Sequence, residues 1–177
     1  MFIQPLISRP RARTELTVKR TFRKLLVPSK IELIYAPYLL FEAVGQDSDA
    51  NNELFALDLL DGDIAYFSEN APNAASPESA IALPPLLDEN EVIEKARKAF
   101  SRITHQASLR RGADIGFRSL QKRERFFYPY WAGYFEVKKN VEIRCIDAIN
   151  GARVGPQMKA AIVRALVVMD KRKDASG

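Results

Sequence analysis

The chain has 177 residues, 47% of them hydrophobic and 28% charged, which suits one ordinary domain or two small interdependent ones and excludes global disorder. One Cys and one His exclude an internal disulfide framework and the common Cys/His zinc sites, so neither a metal nor a cofactor is expected. The net charge is +5 and no uncharged run reaches the ~18 residues of a membrane helix; the apolar start precedes its basic residues, unlike a secretory leader, so a cytoplasmic setting without membrane contact is expected.

Residues 12–27 carry Val18, Phe22 and Leu25 at helical spacing, with Lys19, Arg20, Arg23 and Lys24 on the other side, and Pro28 ends that predicted helix. Residues 31–44 read as a strand, a polar turn follows at 45–52, and a return strand is predicted from Glu53 to Asp58. Asp61-Gly62 is a turn, and 64–67 a short third strand. Residues 68–87, with Pro72, Pro77, Pro84 and Pro85, read as a connector.

The order then repeats. Asp88 and Glu91 form a capping-box pattern at the start of a helix whose apolar stripe is Val92, Ala96, Ala99, Phe100 and Ile103. Residues 123–137 give a strong strand signal, 138–140 a tight turn, and 141–147 a return strand. Asn150-Gly151 is another turn. Pro156 suits the first position of a last helix, 156–171, with Ile162, Ala165, Leu166 and Met169 as its apolar side.

The two halves match in detail. Tyr35-Ala36-Pro37-Tyr38 corresponds to Phe127-Tyr128-Pro129-Tyr130, and the stretch from Asp58 to Gly62 to that from Asp147 to Gly151. Strand alternation puts Leu33, Tyr35, Pro37, Leu39, Phe41 and Ala43 on one face, and Phe127, Pro129, Trp131, Gly133, Phe135 and Val137 on the equivalent face, the candidate core in both. A proline inside a strand points to an edge or a bulge. The expected fold is α+β: two related helix–β-hairpin units forming a pseudo-twofold antiparallel sheet with helices packed on one face, plus a C-terminal helix. The expected divisions are 1–67 for the first unit with its basic arm, 68–87 for the connector, 88–155 for the second unit, and 156–177 for the last helix and tail.

A helix followed by two antiparallel strands, the second ending in an Asp-x-x-x-Gly turn, resembles the PepSY-type module, here in tandem over roughly 12–67 and 88–155. The resemblance implies a non-catalytic module that binds, inhibits or regulates partners. The Tyr-Pro-Tyr-Trp stretch at 128–131 has no counterpart in that pattern, and PepSY-type modules often act outside the cytoplasm, which the start of this chain does not match.

Charge is strongly segregated. Residues 31–94 hold fourteen Asp/Glu and no Lys or Arg, between basic stretches with eight and nineteen Lys/Arg. Either these parts neutralise each other within the fold, or a basic surface stays open for an acidic protein or nucleic acid. The same pattern could pair copies of the chain into homo-oligomers.

The candidate chemistry is sparse. Asp58 and Asp147 could form a carboxylate pair for acid–base work or for holding a metal, but each is better read as capping its own turn. His105 lacks an evident nucleophile and reads as a solvated surface residue. Cys145 shares a strand face with Val141 and Ile143 and reads as a small buried hydrophobe. Seven of the ten residues 126–135 are Phe, Tyr or Trp, preceded by Lys122, Arg123 and Arg125; bases could stack there, though the RNA-recognition strand pattern is missing. Lys95, Arg97, Lys98 and Arg102 read as a solvated helix face. The expected activity is therefore a non-catalytic protein-interaction or regulatory subunit. Its predicted contact surfaces are a tyrosine face (Tyr38, Tyr128, Tyr130, Tyr134) and a basic cluster (Arg110, Arg111, Arg118, Lys122, Arg123, Arg125), Tyr and Arg being common interface anchors. Nucleic-acid binding through the same cluster is the alternative, and an enzyme using Asp58 and Asp147 the third.

Overall fold

A computed structural model describes residues 1–19, 25–45, 52–66, 73–74, 80–111, 117–138 and 140–175. The elements in chain order are β1 (Phe2–Ile3), α1 (Arg9–Leu16), β2 (Val18–Lys19), β3 (Leu25–Leu26), β4 (Lys30–Gly45), β5 (Glu53–Asp58), β6 (Ile64–Tyr66), β7 (Asn73–Ala74), β8 (Ile81–Ala82), α2 (Glu89–Arg111), β9 (Phe117–Val137), β10 (Asn140–Asp147) and α3 (Pro156–Asp174). The architecture is α+β, a mixed open sheet with three helices among the described residues.

The two long strands β4 and β9 pair antiparallel at the centre, with Tyr35 opposite Pro129 and Pro37 opposite Phe127. On the outer side of β4, β5 pairs with Tyr38–Ala43 and β8 runs parallel to Ile34–Tyr35. On the outer side of β9, β10 pairs with Tyr130–Val137 and β1 runs parallel at Phe127. These two parallel additions make the sheet mixed, where an antiparallel one was expected. Short β6 and β7 extend it beyond β5 and β1.

This arrangement explains the prolines. Pro37 and Pro129 lie in central strands, not at an edge. Pro37 O accepts from Leu59 N–H at 2.8 Å and Pro129 O from Ala148 N–H at 3.1 Å, both on the outer side. In an antiparallel ladder a residue's N–H and C=O face the same neighbour. The donor each proline lacks would therefore face the gap where one outer strand hands over to the next, and no ladder bond is lost.

Helices cover both faces of the sheet, where helices on one face were expected. Leu39, Phe41, Phe55 and Leu57 pack on Val92, Ala96 and Ala99 of α2. Ile31, Trp131 and Phe135, from the same face, pack on Ala12 and Leu16 of α1. The opposite face, with Ile34, Ala36, Tyr38, Tyr130 and Ala132, packs on Ala161, Ile162 and Ala165 of α3. The first-named face is the one strand alternation picked as core.

The first helix is shorter than its periodicity predicts. It ends at Leu16, and Thr17 is extended (φ −66°, ψ 130°). Thr17 Oγ1 donates to Arg13 O at 2.7 Å, and β-branched Thr17 and Val18 favour extended backbone, which Val18 and Lys19 adopt by pairing antiparallel with Leu26 and Leu25. Phe22 lies outside the described residues, as do residues 46–51 of the predicted turn. The connector contains β7 and β8, and its other parts at 68–72 and 75–79 also lie outside the described residues. The capping box at α2 forms as expected: Asp88 N–H donates to Glu91 Oε2 at 3.0 Å, and Glu91 N–H to Asp88 Oδ1 at 2.9 Å.

Candidate functional site

The predicted tyrosine surface is largely interior. Tyr38 and Tyr130 are only 4% and 7% exposed, because the small Ala161 and Ala165 of α3 allow that helix to lie close over them. Their hydroxyls share a hydrogen bond of 2.7 Å. Tyr128, half-buried, donates to Asp147 Oδ2 at 2.8 Å, and its ring lies 5.3 Å from that of Tyr130 and 5.7 Å from that of Tyr38. Burial, reinforced by the nearby Asp147 carboxylate, pushes all three phenols well above their ordinary range. Tyr134 is half-buried at the far end of β9. Its hydroxyl donates to Glu32, whose carboxylate also meets Lys30 Nζ at 2.6 Å, and Lys30 sits 5.6 Å from the Tyr134 ring centroid. Of the four tyrosines, only Tyr128 and Tyr134 keep substantial exposure.

Asp58 and Asp147 end β5 and β10 and fold the following turn around themselves. Asp58 Oδ1 accepts from the amides of Leu60 (3.0 Å) and Asp61 (2.6 Å), and Oδ2 from Asp63 (2.7 Å). Asp147 Oδ1 accepts from Ile149 (2.7 Å) and Asn150 (3.2 Å). Each turn closes through the same backbone bond, Gly62 N–H to Asp58 O and Gly151 N–H to Asp147 O, both 3.0 Å. Gly62 and Gly151 have φ of 82° and 79°, where a side chain would be strained. Asp58 is 1% exposed, and burial raises its carboxyl pKa against the lowering effect of these amide bonds. The capping reading of both carboxylates therefore holds.

The basic cluster is partly neutralised by the acidic stretch. Arg123 Nε donates to Glu42 Oε2 at 2.6 Å, Lys122 pairs with Glu89, and Arg164 of α3 meets Asp61 at 3.2 Å. Each pair joins residues 31–94 to residues 95–177, the intramolecular alternative for the segregated charge. Arg125 is exposed and has no ion-pair partner among the described residues. The side chains of Arg110, Arg111 and Arg118 lie outside the described residues.

Cys145 is buried on the α3 side, and burial pushes its thiol up to about 12 despite nearby Lys159, which disfavours the thiolate. His105 is exposed on α2. The feature that sequence reasoning passed over is a cleft of about 470 Å³ between the Asp58–Gly62 turn and α2. The signal was present in the i, i+3, i+7 spacing of Lys95, Lys98 and Arg102, which reads equally well as a solvated face. Among the described residues, no group of three or more His, Cys, Asp or Glu side chains could hold a metal ion, and no helix is long and apolar enough to cross a membrane. No family model matches the chain, and neither a curated protein nor a solved structure does.

Proposed function

We propose that the chain is a non-catalytic interaction or regulatory subunit made of two related helix–hairpin units. The observation that carries this reading is the commitment of Asp58 and Asp147 to their turns: the two carboxylates with the best opportunity for acid–base work hold backbone amides instead.

Kinship of the two units is supported by parallel backbone bonds. Leu59 N–H to Pro37 O matches Ala148 N–H to Pro129 O. The amides of Leu86 and Leu87 on Leu59 O match those of Leu6 and Ile7 on Ala148 O. In the β4–β9 register, the pairs Tyr35–Pro129 and Pro37–Phe127 exchange when each residue is replaced by its counterpart, as a local twofold would require. This order of helix, hairpin and Asp-x-x-x-Gly turn also supports the tandem PepSY-type resemblance and its implied binding role.

The contact surface is the exposed stretch of β9 around Lys122 and Arg125, with a protein of acidic surface as the partner. The reading is tested by capture from native lysate at low and high salt, comparing wild type with a Lys122→Glu/Arg125→Glu variant whose fold is checked by circular dichroism. A protein retained at low salt and lost with the charge reversal supports it. Retention of nucleic acid alone selects the alternative, and identical retention by both chains overturns the assigned surface.

A further inference from the structure

We propose that the cleft between the Asp58–Gly62 turn and α2 is a binding site for a small organic phosphate, a phosphomonoester with a compact apolar body. Its volume of about 470 Å³ falls within the roughly 300–1,000 Å³ of ordinary small-molecule sites. One wall is Gly62, Asp63 and Ile64; the other is α2, which presents Lys95, Lys98 and Arg102. Positions i, i+3 and i+7 share one helical face, so the three cations converge on one opening. None of them has an ion-pair partner among the described residues, whereas the neighbouring Arg97 is held by Glu94 at 2.9 Å.

The wall and the helix fit each other through an absent side chain. A Cβ on Gly62 would lie 2.3 Å from Lys95 Cδ and 2.8 Å from Cε, so the Lys95 stem occupies the space that glycine leaves. That contact holds one of the three ammonium and guanidinium groups against the turn, reducing the side-chain freedom a bound anion would have to freeze. At Gly151 the same position meets only Ile7 Cδ1, at 3.8 Å, so the feature has no counterpart at the second turn. Ile64 supplies apolar surface beside the charges, which favours an ester with a hydrocarbon body over a bare ion. The fork of Arg102 suits two phosphate oxygens, and Lys95 and Lys98 add point charges. Asp63 stands at the rim and opposes the anion. This inference does not depend on the protein-partner reading, which concerns the separate surface around Arg125.

The test uses phenyl phosphate as the probe, with phenol and inorganic phosphate as controls, followed by isothermal titration calorimetry and amide chemical shifts on the full chain. Phenyl phosphate is expected to bind more tightly than either control, with shifts at Gly62–Ile64 and along α2 from Lys95 to Arg102. Lys98→Gln and Arg102→Gln, both at exposed positions, should each lower its affinity roughly tenfold, and Asp63→Asn should raise it. Lys171→Gln, on α3, should leave it unchanged. No binding by wild type, binding that survives Lys98→Gln and Arg102→Gln together, or equal affinity for inorganic phosphate would overturn the proposal.

Discussion

The hydroxyls of Tyr38 and Tyr130 meet at 2.7 Å beneath α3, one from each central strand. Each tyrosine stands opposite an aspartate on its outer neighbour, Tyr38 opposite Asp58 and Tyr130 opposite Asp147. A buried polar pair of this kind is nearly neutral while intact and costly when halved, because the remaining hydroxyl keeps its desolvation penalty without its bond. Tyr38→Phe should therefore destabilise by about 1–3 kcal/mol, and the double variant Tyr38→Phe/Tyr130→Phe by less than the sum of the singles. Urea unfolding of the four chains measures the coupling, and strict additivity would remove the shared bond from the account.

The two aspartates do the same job in different surroundings. Asp58 is 1% exposed and serves three amides, whereas the amide of Asn150, one of those served by Asp147, is open to water. Asp58→Ala should cost about 3 kcal/mol or more, and Asp147→Ala about 1–2 kcal/mol, since water can replace the acceptor there. The comparison reads from denaturation midpoints at pH 7. Equal costs would show that burial is not what separates the two turns.

The hairpins were legible because their signals are local. Glu53 and Asp58 bound β5 as alternation and turn chemistry predict, and Asp88 with Glu91 caps α2. The alternation of Leu39, Phe41, Trp131 and Phe135 marked one buried face, but the opposite face, with Ile34, Ala36 and Ala132, is as fully buried and was not singled out. What escaped was non-local. Nothing near Tyr38 or Tyr130 states that α3, which starts at Pro156 well after β9 ends at Val137, folds back over them. Their hydroxyls looked suited to a partner when they were suited to each other. The pairing of Arg123 with Glu42, 81 residues apart, was equally invisible in the local pattern, although the segregated charge allowed for it. Two-residue strands such as β8 carry too little periodicity to stand out from a proline-rich connector.

Gly62 and Gly151 offer a controlled comparison. Both have positive φ, so alanine at either should cost about 1–2 kcal/mol from backbone strain alone. Gly62→Ala carries a further cost, because its methyl group displaces the Lys95 stem, and nothing comparable crowds Gly151. Thermal unfolding should rank Gly62→Ala below Gly151→Ala. Adding Lys95→Ala to Gly62→Ala should remove the part of the difference that the stem causes, leaving the part due to Leu87 Cδ1, which lies 3.1 Å from the same methyl position. If that double variant stays as unstable as Gly62→Ala, the stem does not fill the space above the glycine.

Alkali should unfold this chain cooperatively. Burial raises the Cys145 thiol from its ordinary 9.0 to about 12 and moves Tyr38, Tyr128, Tyr130 and Tyr134 upward as well. A folded-state pKa above the unfolded one means that the native chain holds more protons between the two values, so stability falls as pH rises through that interval. The contribution is complete below pH 9 and is lost progressively toward pH 12. Tyrosinate absorbance near 295 nm should therefore rise together with loss of the far-ultraviolet circular dichroism, in one step. Cys145→Ala should make the decline between pH 9 and 10 shallower, because no thiol then ionises on unfolding. Tyrosine titration that runs to completion while the dichroism stays native would show that these hydroxyls are open to solvent and that α3 does not seal them.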